Sequence, residues 1–151
     1  MKRAVLVACA VAGLFSFGYP YQAKADLGDS YQESKHKYGQ PLTIREGIVW
    51  WTLRSPNETW VGATFYRNQC VAICYLPSEG QDLVESEILR LFLVNSKPGA
   101  TWAEYYRDEN SVQYSNQDAT IYGRLDFPSG CLQICYASHL KRHGLLKSPS
   151  S

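Results

Sequence analysis

Hydrophobic positions along this chain recur with two spacings, and each change of spacing marks an element. After an opening apolar run, Leu27, Tyr31 and Tyr38 fall near one helical face. Ser30 and Glu33 form a capping box at its start, Lys35, His36 and Lys37 suit its C-terminal dipole, and Gly39 and Pro41 stop it. The pattern predicts a helix over 29–38. Strand-forming residues then dominate Ile48–Arg54, Glu58–Tyr66 and Cys70–Leu76, with turns at Ser55-Pro56-Asn57 and Arg67-Asn68-Gln69, which predicts a three-stranded meander. Pro77, Ser78 and Gly80 read as a linker. Val84, Ile88 and Leu91, flanked by Leu89, Phe92 and Leu93, predict a deeply buried helix over 82–95. Thr101 with Glu104 reads as another capping box, opening a short helix with Trp102, Tyr105 and Tyr106. One short strand around Val112–Ser115 and strands over 119–126 and 131–138 complete the chain.

Two segments of this pattern match. Thr59–Tyr75 aligns without gaps on Thr120–Tyr136, 61 residues later, and six of 17 positions are identical: Thr59/Thr120, Gly62/Gly123, Cys70/Cys131, Ile73/Ile134, Cys74/Cys135 and Tyr75/Tyr136. The expected fold class is therefore α+β, a tandem duplication of a helix plus antiparallel β-meander unit, with helices packed on one face of the sheet. The expected units are a first repeat over 26–77, a second over 78–143 and a disordered tail over 144–151. On each strand Val71, Ile73, Tyr75, Leu132, Ile134 and Tyr136 make the apolar side, which the helices should cover. The side carrying cysteine, Ala72 and Gln133 should be more open.

Strand geometry limits the cysteines. Four strand steps span ~13 Å, beyond the reach of a disulfide, so Cys70 cannot bridge Cys74, nor Cys131 bridge Cys135. Antiparallel neighbours would pair Cys70 with Cys135 and Cys74 with Cys131, the preferred reading. Parallel neighbours would pair Cys70 with Cys131 and Cys74 with Cys135. Four thiols packed as small apolar residues is the alternative to any bridge. A redox Cys-x-x-Cys at a helix start and a four-cysteine zinc site both conflict with Cys-x-x-x-Cys on strands.

Composition changes the picture at the N-terminus. Lys2 and Arg3, the uncharged run Ala4–Phe17, and Ala23-Lys24-Ala25 have the layout of a signal peptide over 1–25, which would take Cys9 with it. Export, to the periplasm or the extracellular space, is the expectation, with no stable membrane insertion after cleavage. Removing Lys2, Arg3 and Lys24 from the 15 basic residues leaves 12 against 14 acidic ones, a net charge of −2. That balance argues against a nucleic-acid partner. Asn57-Glu58-Thr59 matches a glycosylation sequon and reads as coincidence. The remaining cysteines are even in number, as a disulfide framework requires.

Chemistry is sparse. His36, His139 and His143 fall in basic segments, and the sequence supplies no catalytic constellation, metal motif or cofactor signature. Aromatic side chains are abundant instead. Trp50 and Trp51 must point to opposite faces of their strand, and with Trp60 and Tyr66 they are the candidate binding residues. The helix ending in Tyr38-Gly39-Gln40-Pro41, followed by an antiparallel meander and then repeated, resembles the β-lactamase-inhibitor-like fold of the secreted β-lactamase inhibitory proteins and the SmpA/OmlA envelope proteins. The resemblance implies a saddle-shaped sheet and a non-catalytic binding or inhibitory role. The expected function is an exported module engaging a protein partner through an aromatic-rich sheet face. A small envelope enzyme acting on cell-wall or small-molecule substrates, and a structural cell-envelope protein, are the alternatives.

Overall fold

The computed structural model describes residues 26–53 and 58–145. The expected signal peptide with Cys9, the Ser55-Pro56-Asn57 turn, Arg54 and the end of the expected tail lie outside the described residues. Helix α1 spans Tyr31–Tyr38. Its capping box forms: the Glu33 N–H donates to Ser30 Oγ at 3.2 Å and the Ser30 N–H donates to the Glu33 carboxylate at 2.7 Å. A meander follows, β1 (Thr43–Arg45), β2 (Ile48–Leu53), β3 (Thr59–Tyr66) and β4 (Gln69–Pro77). After α2 (Glu85–Val94) comes a second, β5 (Trp102–Arg107), β6 (Ser111–Asn116), β7 (Ile121–Asp126) and β8 (Cys131–Tyr136), and then α3 (Ala137–Arg142).

All eight strands join one sheet in the order β1-β2-β3-β4-β8-β7-β6-β5, and every neighbouring pair is antiparallel. β4 and β8 form its central seam, with Ala72 opposite Cys135 and Tyr75 opposite Leu132. The apolar side falls where alternation places it. Val49, Trp51, Val61, Ala63, Ile73, Tyr75, Leu132 and Ile134 are buried together with Ile88, Leu91 and Phe92 of α2. Phe92 stacks on Trp102 at 4.2 Å and tilts against Tyr114 at 5.0 Å. α1 covers the other end of this face, with Tyr31 edge-on to Phe65 and Tyr38 against Trp51. The buried amide of Asn95 on this face is paired, as burial favours. Asn95 donates to Tyr75 Oη at 3.1 Å and accepts from the Leu27 N–H at 3.0 Å.

The expected fold class is corrected by this topology. The described residues are dominated by one eight-stranded antiparallel sheet with three small helices, rather than by a tandem helix-plus-meander duplication with all helices on one face. Three local outcomes account for the difference. The expected helix at 101–106 is strand β5. Glu104 takes Arg107 as a partner, at 2.9 and 2.7 Å, instead of capping, and the Thr101 hydroxyl, just before β5, donates to Gln117 Oε1 in the β6–β7 turn. The last strand ends at Tyr136, and α3 folds onto the face opposite α1 and α2, where His139 and Leu140 lie against Ala72, Cys74 and Cys135. Finally, the matched segments do not occupy equivalent faces. β4 carries a bulge beside Thr64 and Phe65, in which Val71 has no partner on β3, whereas β7 and β8 pair without interruption. Gly62 consequently faces Trp50 and Cys74, while Gly123 faces Phe92.

Candidate functional site

The face opposite α1 and α2 is the candidate site, and the alternation of β2, β3 and β4 builds it. Trp50 pairs with Gly62, and Gly62 with Cys74. A Cβ on Gly62 would come within 2.8 Å of both the Trp50 ring and Cys74 Sγ, so the missing side chain is what lets the indole lie down on the strand. Trp60, 38% exposed, stands between its cross-strand partners Thr52 and Leu76. Tyr66, at the end of β3, lies under the Arg142 guanidinium of α3, 3.6 Å from the ring centroid. Such stacking of a cation on an aromatic face contributes about 0.5–1 kcal/mol at exposed sites. Trp51 is only 1% exposed, and its Nε1–H donates to the Gly39 carbonyl at 3.0 Å. Three of the four expected aromatic residues therefore share one face, and Trp51 belongs to the core.

α3 divides this face into two shallow cavities. One, of about 210 Å³, lies between α3 and strands β3, β4 and β8, lined by Thr64, Ala72, Cys74, Cys135, His139 and Leu140. The other, of about 230 Å³, is lined by Tyr105, Gln113, Tyr122, Arg124 and Leu140. There Tyr105 meets Tyr122 edge-on at 5.8 Å and donates to Gln113 Oε1 at 2.8 Å. Burial, with His143 and Arg142 nearby, lowers the pKa of His139, and its Nδ1 is buried without a hydrogen-bond partner. The sequence reading missed His139, Leu140, Tyr105 and Tyr122 as members of this face. Leu140 amid the basic tail was the available signal, and the helical reading of 101–106 hid Tyr105.

The cysteines fall differently from one another. Pairing across the seam is antiparallel, as the preferred reading requires, but the register opposes Cys135 with Ala72 and Cys74 with Gln133. The bulge turns Cys70 into the core, where it is fully buried and its thiol is pushed up to about 12 by burial. Cys135 lines the cavities of the other face, and burial pushes it up to about 11. The Cys74 and Cys131 side chains hydrogen-bond to each other. That contact, followed by burial, raises Cys74, while the same contact lowers Cys131. All four described cysteines are free thiols in this structure.

A larger cavity, about 560 Å³, opens between the N-terminal segment, the α2–β5 loop and the β6–β7 turn. Its buried amides are already engaged. Asn116 accepts from the Thr120 and Ile121 N–H groups, and Asn95 is bonded to Tyr75 and Leu91. Among the described residues no three His, Cys, Asp or Glu side chains gather closely enough to hold a metal ion, and no helix is long and apolar enough to cross a membrane.

No protein-family model matches the chain, and no curated protein matches it. Two solved structures resemble its backbone. One is a cysteine-rich secretory protein from Staphylococcus aureus subsp. aureus Mu50, 11% identical, with a TM-score of 0.43 over 82% of this chain and 49% of the other. The second is an extracellular protein containing an SCP domain from Bacillus anthracis str. Ames, 10% identical, with a TM-score of 0.44 over 94% of this chain and 56% of the other. The chain thus spans about half the length of the solved structures it matches. Similarity at that level does not define a shared fold.

Proposed function

We propose that this protein is an exported, non-catalytic binding module that engages a protein partner through the sheet face opposite α1 and α2. The observation that carries the reading is the pair Trp50 and Trp60. They are diagonal neighbours on that face, Trp50 half-buried and Trp60 exposed, and Gly62 makes room for the first. Large aromatic side chains beside shallow cavities are the usual anchors of protein recognition, because they bury much area at small entropic cost. Tyr66 contributes at the rim, where it shares Arg142 with α3. The export half of the reading rests on the basic, apolar and small-residue succession of residues 1–25. An inhibitory role, which the resemblance around Tyr38-Gly39-Gln40-Pro41 implies, is one form of the same reading, with the bound enzyme as partner.

The test compares the immobilised protein with its Trp50→Ala/Trp60→Ala variant in native envelope extract and culture fluid. The expected result is a protein retained by the first, whose purified form then binds at least ~10-fold more weakly to the second, the loss expected of anchor residues. Equal retention of every protein by both would sink the reading, provided circular dichroism shows the variant folded.

A further inference from the structure

Among the four described cysteines, the geometry points to one redox-active pair: we propose that Cys74 and Cys131, and no other two, form a reversible disulfide across the β4–β8 seam. Both side chains project from the face opposite α1 and α2, and each is partly accessible. Cys74 has two diagonal neighbours across the seam, Cys131 and Cys135; its side chain contacts Cys131, whereas burial alone perturbs Cys135 and the β4 bulge turns Cys70 into the core. The direct partner of Cys74 is Gln133. Diagonal Cα atoms lie about 7–8 Å apart, and a disulfide takes up to about 6.8 Å, so closure needs a movement of about 1 Å. Cys131 has room for it. It is the first residue of β8, beyond the last pair that β8 makes with β4, Tyr75 with Leu132.

Closure by thiol–disulfide exchange balances with glutathione disulfide, or an enzyme disulfide of the same class, as oxidant. Cys131 is the attacking sulfur, because it opens β8 beyond the last β4–β8 pair, where an incoming disulfide can reach it. Its thiolate displaces one glutathione thiolate and forms a mixed disulfide. Cys74 then attacks Cys131 Sγ and expels the second glutathione. Two protein S–H bonds are lost, one S–S bond forms, and the two protons and two electrons leave on two glutathione thiols. The product would tie the first meander to the second at the β4–β8 ladder that joins them.

The experiment incubates the folded full chain carrying Cys9→Ser, so that only the four described cysteines remain in the parent of every variant, with glutathione disulfide, then alkylates under denaturing conditions and weighs the protein. Because Cys70 and Cys74 share one tryptic peptide and Cys131 and Cys135 another, serine variants make the assignment. The Cys70→Ser/Cys135→Ser variant is expected to lose two hydrogens and take up no alkyl group, reversibly with dithiothreitol. The Cys74→Ser/Cys131→Ser variant is expected to keep both thiols, and Cys131→Ser alone to form no internal bridge. A bridge in either of the last two, or a Cys70→Ser/Cys135→Ser protein that stays reduced or stops at a glutathione adduct while folded by circular dichroism, would overturn the proposal.

Discussion

In the β3–β4 hairpin Gly62 lies beneath Trp50 on the face away from α1 and α2. In the β7–β8 hairpin its sequence match Gly123 lies beneath Phe92 on the covered face. The two hairpins share residues at six of 17 positions, yet not all of those residues serve the same surface. Near their tips the pairings still correspond, Phe65 with Cys70 and Asp126 with Cys131. The first pair is turned toward α1 and the second away from it, because Phe65 packs on Tyr31 while Asp126 holds the Ser129 turn. The single extra residue at Val71 then restores alignment in the following strand. Cys74 and Cys135 come back to one face, and Ile73 and Ile134 are buried together. Matching residues thus do not imply matching environments, since one bulge inverts every side chain beyond it.

The largest expected effects test the two faces at adjacent tryptophans. Trp51→Ala removes a side chain packed against Tyr38 and bonded to Gly39, and should cost about 3–5 kcal/mol in urea unfolding. Trp50→Ala, on the other face, should cost about 1 kcal/mol and act mainly on partner binding. Equal losses at both positions would show that the second face is as closed as the first.

The glycines give the next contrast. An alanine at 123 would drive its Cβ into the Phe92 ring, which Trp102 and Tyr114 hold in place. Overpacking of this kind costs about 1–3 kcal/mol. Gly62→Ala meets Trp50, Cys74 and Ile48 side chains that can give way toward solvent, so its loss should be smaller, below about 1 kcal/mol. A Gly62→Ala variant less stable than Gly123→Ala would mean that Trp50 is locked rather than resting on the surface.

This contrast also explains how much could be read in advance. α1, β2, β3, β4 and the covered apolar side were legible, because capping residues and alternation act over a few neighbours. The antiparallel seam followed from the same logic. The bulge at Val71 was not legible, since it is a property of two strands in register and leaves no mark in either alone. β5 was misread because Thr101 and Glu104 have the right spacing for a cap, and only pairing with β6 assigns Glu104 to Arg107. The first two residues of α3, Ala137 and Ser138, were read as the end of the last strand because Cys131–Tyr136 alternates up to the residue before them. Of the candidate site, the aromatic residues were legible as a set, but the face each one takes depends on the sheet.

The smallest effects concern how each half opens. α1 begins at Ser30, whose hydroxyl and N–H exchange hydrogen bonds with Glu33. α2 begins at Val84, in the same extended conformation, with the Glu87 carboxylate but no cap hydroxyl. Ser30→Ala should therefore cost about 1 kcal/mol, and Val84→Ser, at an exposed position, should stabilise by about 0.5–1 kcal/mol. The first cap also carries a pH signature. The Ser30 N–H, then its hydroxyl, hold the Glu33 carboxyl below its ordinary value of 4.5. A carboxylate depressed in the folded state stabilises above its unfolded pKa, and that contribution is lost as pH falls through the folded value. The stability difference between the parent and Glu33→Gln should accordingly be constant near neutrality and shrink below about pH 4.5. Ser30→Ala should flatten that dependence, because without the hydroxyl one of the two bonds that depress Glu33 is gone. A difference that stays constant down to pH 3 would mean that Glu33 acts at the α1 start through packing rather than charge.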